Sequence, residues 1–168
     1  MNKQSSEVSM NGTNWWTSPD GVKFQVGDQS KLKVRFKKVH PDAVTPTYAK
    51  DGDAGLDLTA IYAISAENFI EYRTGIAVEI PEGYVGFIFP RSSVSKKKNF
   101  YLKNSVGVID SGYRGEILLR FNTSDSRYDA GEKIGQLIIL PYPTIQLEEV
   151  EDLSSTERGE GGFGSTGR

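Results

Sequence analysis

The sequence predicts an all-β protein, a sandwich or barrel for which a jelly-roll arrangement is the expectation, and three observations carry it. Short apolar segments recur at close spacing, each bounded by Gly, Pro, Asp or Ser. The first of them alternates, with Leu32, Val34 and Phe36 set against Lys33, Arg35 and Lys37, the period-2 mark of a strand with one buried face. No window of about 11 residues or more holds an apolar stripe at the 3.6-residue helical period.

Residues 1–30 precede this pattern. They are polar and aperiodic apart from Trp15, Trp16 and the turn-like Ser18-Pro19-Asp20-Gly21, and read as an extension of uncertain order. The β domain is assigned to residues 31–150. After the alternating segment at Lys31, strands are expected over Leu56 to Ile61, Thr74 to Ile80, Tyr84 to Phe89, Phe100 to Lys103, Glu116 to Asn122 and Lys133 to Leu140. Turn chemistry separates them at Asp51-Gly52-Asp53, Pro81-Glu82-Gly83, Ser111-Gly112 and Asp129-Ala130-Gly131-Glu132. One short helix is expected over Ser92 to Lys98. Residues 151–168 form a C-terminal arm whose last 15 positions hold five glycines and one large apolar side chain, Phe163. Such an arm cannot offset the entropy of its own ordering, so it stays mobile or orders on something else.

Composition narrows the chemistry. The 168 residues suit one domain, and a net charge of −2 lacks the basic excess that coating duplex nucleic acid or an anionic membrane requires. Stable nucleic-acid or membrane binding is therefore not expected. There is no cysteine, which excludes disulfides, thiolate nucleophiles and Cys-based metal sites. A single histidine, His40, excludes His-cluster metal sites and disfavours a Ser-His-Asp triad. No run approaches the roughly 18 apolar residues of a membrane span, and the amino terminus has neither a signal-peptide core nor a transit-peptide pattern. A soluble protein of the cytoplasm is the expectation, or of the host cytoplasm for a viral source, with the nucleus left open.

Five segments could carry chemistry. In the arm, Arg158, Phe163, Gly164, Ser165 and Thr166 combine approachable amides, hydroxyls, a cation and a flat ring, suited to phosphates and a base, or else form a linker-like end. Arg91, Ser92 and Ser93 stand where a strand gives way to a helix, as an anion site or simply as a helix cap. From Asn104 to Leu118, two apolar arms flank Ser111-Gly112, which reads as a β-hairpin pairing Asn104 with Leu118. Within it, Gly107 leaves backbone groups approachable, Asn104 can read a base edge, and Asp110 is a base or an ordinary turn residue. Asp57 enters a strand beside Gly55. Gln136 sits in the most apolar strand, as a ligand group or a satisfied glutamine.

In order, DAGLDL, PRSS, NSVGVIDSGYRG, GEKIGQLIILP and RGEGGFGSTG resemble the five motifs of the homotrimeric deoxyuridine triphosphatase (dUTPase) family, over roughly residues 31–168. The resemblance implies a dUTPase-like β-clip, a distorted jelly-roll or β-barrel, assembled as a homotrimer. It implies Mg²⁺-dependent hydrolysis of dUTP to dUMP and pyrophosphate, which limits uracil in DNA and supplies dUMP for dTMP synthesis. By the same resemblance Asp110 activates the water that attacks the α-phosphorus. An aspartate side chain, with a reference pKa of about 3.9, is ionised at neutral pH and can serve as a base without an imidazole. Asn104, Gly107, Val108 and Ile109 match the uracil-binding segment, Leu118 its facing wall, and Tyr113 the ring under deoxyribose. Arg91, Ser92 and Ser93 match the phosphate motif, Gln136 the residue near the α-phosphate, and Asp57 a carboxylate that holds Mg²⁺ through water. Phe163 would stack on uracil while Arg158, Ser165 and Thr166 reach the terminal phosphates, the arm closing over a neighbour's site.

The sequence departs from the family pattern at Ser93, Gly112, Lys133 and Gly135, where Gly, Asp, Arg and Ala are commoner. Lys133 keeps a charge without the bidentate fork. Two alternatives accompany the dUTPase reading. One is a dCTP deaminase on the same scaffold, disfavoured by the intact arm and by NSVGVIDSGYRG. The other is a nucleotide-sensitive regulator, for which the extension with Trp15 and Trp16 is the first place to seek a protein partner.

Overall fold

In a computed structural model, which describes residues 14–17, 23–26, 32–98, 100–123 and 127–162, the regular structure is almost all β, in antiparallel pairing, with one short helix among the described residues. One sheet runs β4 (Leu56–Thr59), β10 (Lys133–Pro141), β7 (Tyr84–Pro90) and β8 (Gly107–Ile109). The other is built on the ten-residue β6 (Ile70–Glu79). Along one edge of β6 lie β5 (Tyr62–Ser65), paired with residues 70–73, and β3 (Arg35–Lys38), paired with residues 76–79. β9 (Glu116–Phe121) pairs with residues 70–77 on the other edge. The helix α1 (Ser92–Lys98) follows β7 as the sequence predicts.

The two sheets share one core. Leu58 of β4, Ile88 of β7 and Ile134 and Leu137 of β10 join Ile70, Tyr72, Ile76 and Val78 of β6 and Ile117, Leu119 and Phe121 of β9. Phe100 stacks on Phe121 at a centroid distance of 5.5 Å, and Tyr72 meets Phe121 edge-on at 5.8 Å, the offset and T-shaped geometries that ring quadrupoles favour. Gly75 breaks the long strand. It adopts φ +67°, and a Cβ there would lie 2.7 Å from that of Ala43, so the β3 and β5 halves of the edge meet at a glycine kink.

Several expectations change. The segment 107–118 is no hairpin: β8 pairs with β7 in one sheet while β9 pairs with β6 in the other, and Leu118 lies opposite Arg73, not Asn104. A turn that changes sheets looks in sequence like a turn that reverses within one, because both need two apolar arms and a polar bend. β3 itself has no buried face, with Phe36 48% exposed, while Val34 just before it packs partly buried against the core. The expected strand over 100–103 is reduced to a single bridge, Leu102 to Phe121. β5 was not anticipated, and β6 begins at Ile70 rather than Thr74. Within the extension, β1 (Asn14–Thr17) and β2 (Lys23–Val26) pair with each other, while Ser18-Pro19-Asp20-Gly21 lies outside the described residues. The exposed chain begins earlier than residue 151: after Tyr142, whose N–H donates to Gly83 O at 3.0 Å, residues 143–150 are exposed and without strand.

Candidate active site

The change of sheets between β8 and β9 opens a cleft. Val108, Ile109 and Asp110 on one side and Tyr113, Glu116 and Leu118 on the other enclose about 230 Å³. Had the two arms paired, their ladder would have filled this space. Asp110 is exposed at the end of β8, and its carbonyl accepts the Tyr113 N–H at 3.0 Å, closing a tight turn. Arg114 fastens that turn from outside, donating from Nη1 to Ser111 O at 2.6 Å and to Tyr113 O at 2.8 Å.

Tyr113 is held at its far end. Its hydroxyl donates to Glu116 O at 3.0 Å, and the ring crosses Gly115 so closely that a Cβ there would lie 2.3 Å from the Tyr113 oxygen. Glu116 is fixed in turn. One carboxylate oxygen accepts from Arg73, at 2.9 Å from Nε and also from Nη2, and the other accepts the Gly75 N–H at 2.7 Å. Burial alone would raise the Glu116 carboxyl, but the Arg73 hydrogen bond, the Gly75 amide and the Arg73 charge together hold it below its ordinary value. The same hydrogen bond raises Arg73.

At the other end of β8, Gly107 lies against Ile88, where a Cβ would come within 3.0 Å of the Ile88 Cβ. The same absent Cβ would sit 3.8 Å from the Asn104 amide nitrogen, so Asn104 and Gly107 are neighbours. Asn104 belongs to a tight turn in which Ser105 takes φ 60°.

A second cluster lies on the β4–β10–β7 strip. Gln136 stands opposite both Asp57 and Phe89, and its side-chain oxygen occupies the space that a Cβ on Gly55 would need, at 2.5 Å. Asp57 is buried and takes Arg91 Nε on one oxygen at 3.0 Å and Lys133 Nζ on the other at 2.7 Å. Ser92 and Ser93 begin α1 directly after Arg91. Arg91, Gln136 and Asp57 are not among the residues lining the Asp110 cleft. Within this chain the expected site residues thus fall into two groups, only one of which lines the cleft. Arg158 is exposed and donates from Nε to Gly161 O at 2.9 Å within a turn of the arm. Phe163, Gly164, Ser165 and Thr166 lie outside the described residues.

The surroundings of Asp57 do not fit a magnesium ion held through water at its carboxylate. Lys133 Nζ donates to one oxygen and Arg91 Nε stands 3.0 Å from the other, so a divalent ion's hydration shell there would sit beside two cations.

Sequence reasoning passed over Arg73, Gly115, Glu116 and the tie from Lys133 to Asp57. A charged residue opening an apolar strand, as Glu116 does, was a usable signal, because such a carboxylate needs a partner once its strand is buried.

A carboxylate at the rim of a base-sized cleft, with a cation cluster set apart on the same antiparallel framework, is the build of an all-β nucleotide hydrolase. The dUTPase family model matches residues 42–167. A deoxyuridine 5'-triphosphate nucleotidohydrolase from a Hydrogenobaculum species is 42% identical over 142 residues, covering 81% of this chain and 99% of that one. One from Cutibacterium acnes is 44% identical over 133 residues, covering 76% and 87%. Among solved structures, the dUTPase of Staphylococcus bacteriophage 80alpha with dUpNHpp superposes with a TM-score of 0.69 at 30% identity, covering 82% of this chain and all of that one. A mutant dUTPase of phage phi11 of S. aureus, described as revealing the coordination of a structural Mg(II) ion, gives 0.62 at 26% identity, covering 72% and 98%. The chain belongs to the dUTPase family.

Proposed function

We propose that this chain hydrolyses dUTP to dUMP and pyrophosphate. The observation that carries the reading is the position of Asp110, exposed at the rim of a cleft made by residues 108–118. Uracil enters the cleft beside Val108 and Ile109, with Asn104 and the β8 backbone reading its edge and Leu118 forming the far wall. Tyr113 packs under the sugar, where a 2′-hydroxyl would crowd its ring. The Asp110 carboxylate accepts a proton from a water in line with the α-phosphorus. The new P–O bond forms as the bond to the bridging oxygen breaks, and pyrophosphate leaves. Magnesium would arrive bound to the triphosphate, and Arg91, Ser92, Ser93 and Gln136 receive the phosphates.

A homotrimer with shared sites, built on a jelly-roll protomer, belongs to this proposal. Two features of the chain support it. The base cleft and the cation cluster are separate within one protomer, and the chain after β10 exposes Ile145 (73%), Leu147 (88%) and Leu153 (89%), apolar side chains that a neighbouring protomer would cover. The arm with Phe163 would then close a site to which its own chain contributes little else. Light scattering in solution should give three times the 18.6 kDa chain mass.

The decisive assay is pyrophosphate release with Mg²⁺ from dUTP beside dTTP, dCTP and UTP, for the wild type and Asp110→Asn. Release from dUTP alone, reduced by about 10²-fold or more in the variant, is the expected outcome. Turnover of dCTP to a deaminated product would replace the reading with a deaminase. Binding of dUTP without release would replace it with a nucleotide-sensing regulator.

A further inference from the structure

Asp57 is the most enclosed charge of the cation cluster. Its side chain is 7% exposed, whereas those of its partners Arg91 and Lys133 are 35% and 41% exposed. The three residues lie across three neighbouring strands: Asp57 in β4, Lys133 at the start of β10, and Arg91 just past the end of β7. The main chain of Asp57 is pinned as well, its N–H donating to Thr47 O at 2.9 Å. A fixed, buried carboxylate therefore stands beneath two cationic head groups that reach towards solvent.

The arrangement has a chemical logic. Two cations meeting on the two oxygens of one carboxylate would repel each other and swing into water if the carboxylate were neutral. With Asp57 ionised they stay close together, and neither is used up. Lys133 spends one of its three N–H donors on the carboxylate, and Arg91 is ion-paired through Nε at 3.0 Å, leaving its Nη donors for another anion. Donors therefore remain for a second anion, and both long side chains have already lost much of the freedom that ligand binding would otherwise cost.

We propose that Asp57 is a positioning residue, the counter-ion that sets Arg91 and Lys133 as a preorganised pair for the phosphate chain of the substrate. This rests on the dUTP reading for the identity of the ligand. It gives Lys133 a place in the site, and it assigns Asp57 a role that needs no metal.

The test is binding of the non-hydrolysable analogue dUpNHpp, measured by calorimetry with Mg²⁺ and again in EDTA. The proteins are the wild type, Asp57→Asn, Lys133→Ala and the double variant. Asp57→Asn should weaken binding about tenfold, by the same factor in both media, the scale of one lost charge-assisted contact. The double variant should bind little worse than Asp57→Asn alone, because the two residues act as one unit. A loss confined to the Mg²⁺ medium, or losses that simply add, would overturn the proposal. If Asp57→Asn fails to fold, Lys133→Ala decides: unchanged metal-free binding overturns the proposal, and weakened binding supports it. A wild type that binds the analogue in neither medium sinks the dUTP reading and this proposal with it, an outcome distinct from a wild type that binds while the variants refute the clamp.

Discussion

Glu116 ties its strand to β6 through Arg73, whose guanidinium and the Gly75 amide take the two carboxylate oxygens between them. The pair spans the register shift between β9 and β6, where regular ladder bonds are interrupted. It substitutes side-chain bonds for backbone ones at the point where β9 lines the Asp110 cleft.

Acid should expose this pair. The Glu116 carboxyl is lowered in the folded protein, so its stabilisation is fully present above the unfolded reference of about 4.3 and is lost as pH falls through the lower folded value. Glu116→Gln should cost about 1–3 kcal/mol at pH 7, and the gap from wild type should close on acidification. Urea titrations at pH 7, 5 and 3.5 would measure it. A gap that stays constant would refute the assignment.

Gly115→Ala is expected to disturb the cleft and spare the fold. Gly115 is not in the left-handed region, so alanine fits the backbone; what stands in the way is the far end of the Tyr113 side chain. The ring should be displaced and the discrimination between dUTP and UTP should fall by about tenfold, with a melting temperature close to wild type. Parallel kcat/KM values for the two nucleotides would decide the matter. Unaltered selectivity would mean that Tyr113 does not set it.

Gly135 departs from the commoner alanine for a reason visible in the core. A Cβ there would lie 2.4 Å from Leu119 Cδ2 and 3.1 Å from the Phe89 carbonyl. Gly135→Ala should therefore destabilise the protein by about 1–3 kcal/mol. Adding Leu119→Val should recover part of that loss. A double variant less stable than the sum of the two single changes would contradict the packing argument.

Ending the chain after Gly162 should leave the fold unchanged and weaken catalysis. The removed residues contain Phe163, Ser165 and Thr166, and among the described residues the buried core runs from Ala43 to Leu137. A fall in kcat/KM of about tenfold or more with an unchanged melting curve is expected. Full activity of the shortened chain would remove the arm from the mechanism.

Sequence patterning read the strands well where a single face decided burial, as in β7, β9 and β10. At β3 the strand is present but its apolar face is mostly exposed, because alternation reports an apolar face without saying what covers it. Patterning also missed the separation of β8 from β9, since sheet membership depends on what β6 and β7 offer as partners far along the chain. The candidate site residues are nominated by their motif order. Their grouping is not legible there: the ties from Arg73 to Glu116 and from Lys133 to Asp57 join positions 43 and 76 residues apart.

The cleft beside Asp110 is a seam between two sheets, and this gives it a mechanical property. β8 belongs to one leaf of the molecule and β9 to the other, so the width of the seam is set by how the leaves are spaced. Side chains that never meet a nucleotide, such as Leu119 and Ile117 in the shared core, act as shims. Thinning or thickening them should change which base fits, so that selectivity and interior packing in this protein are adjusted by the same residues.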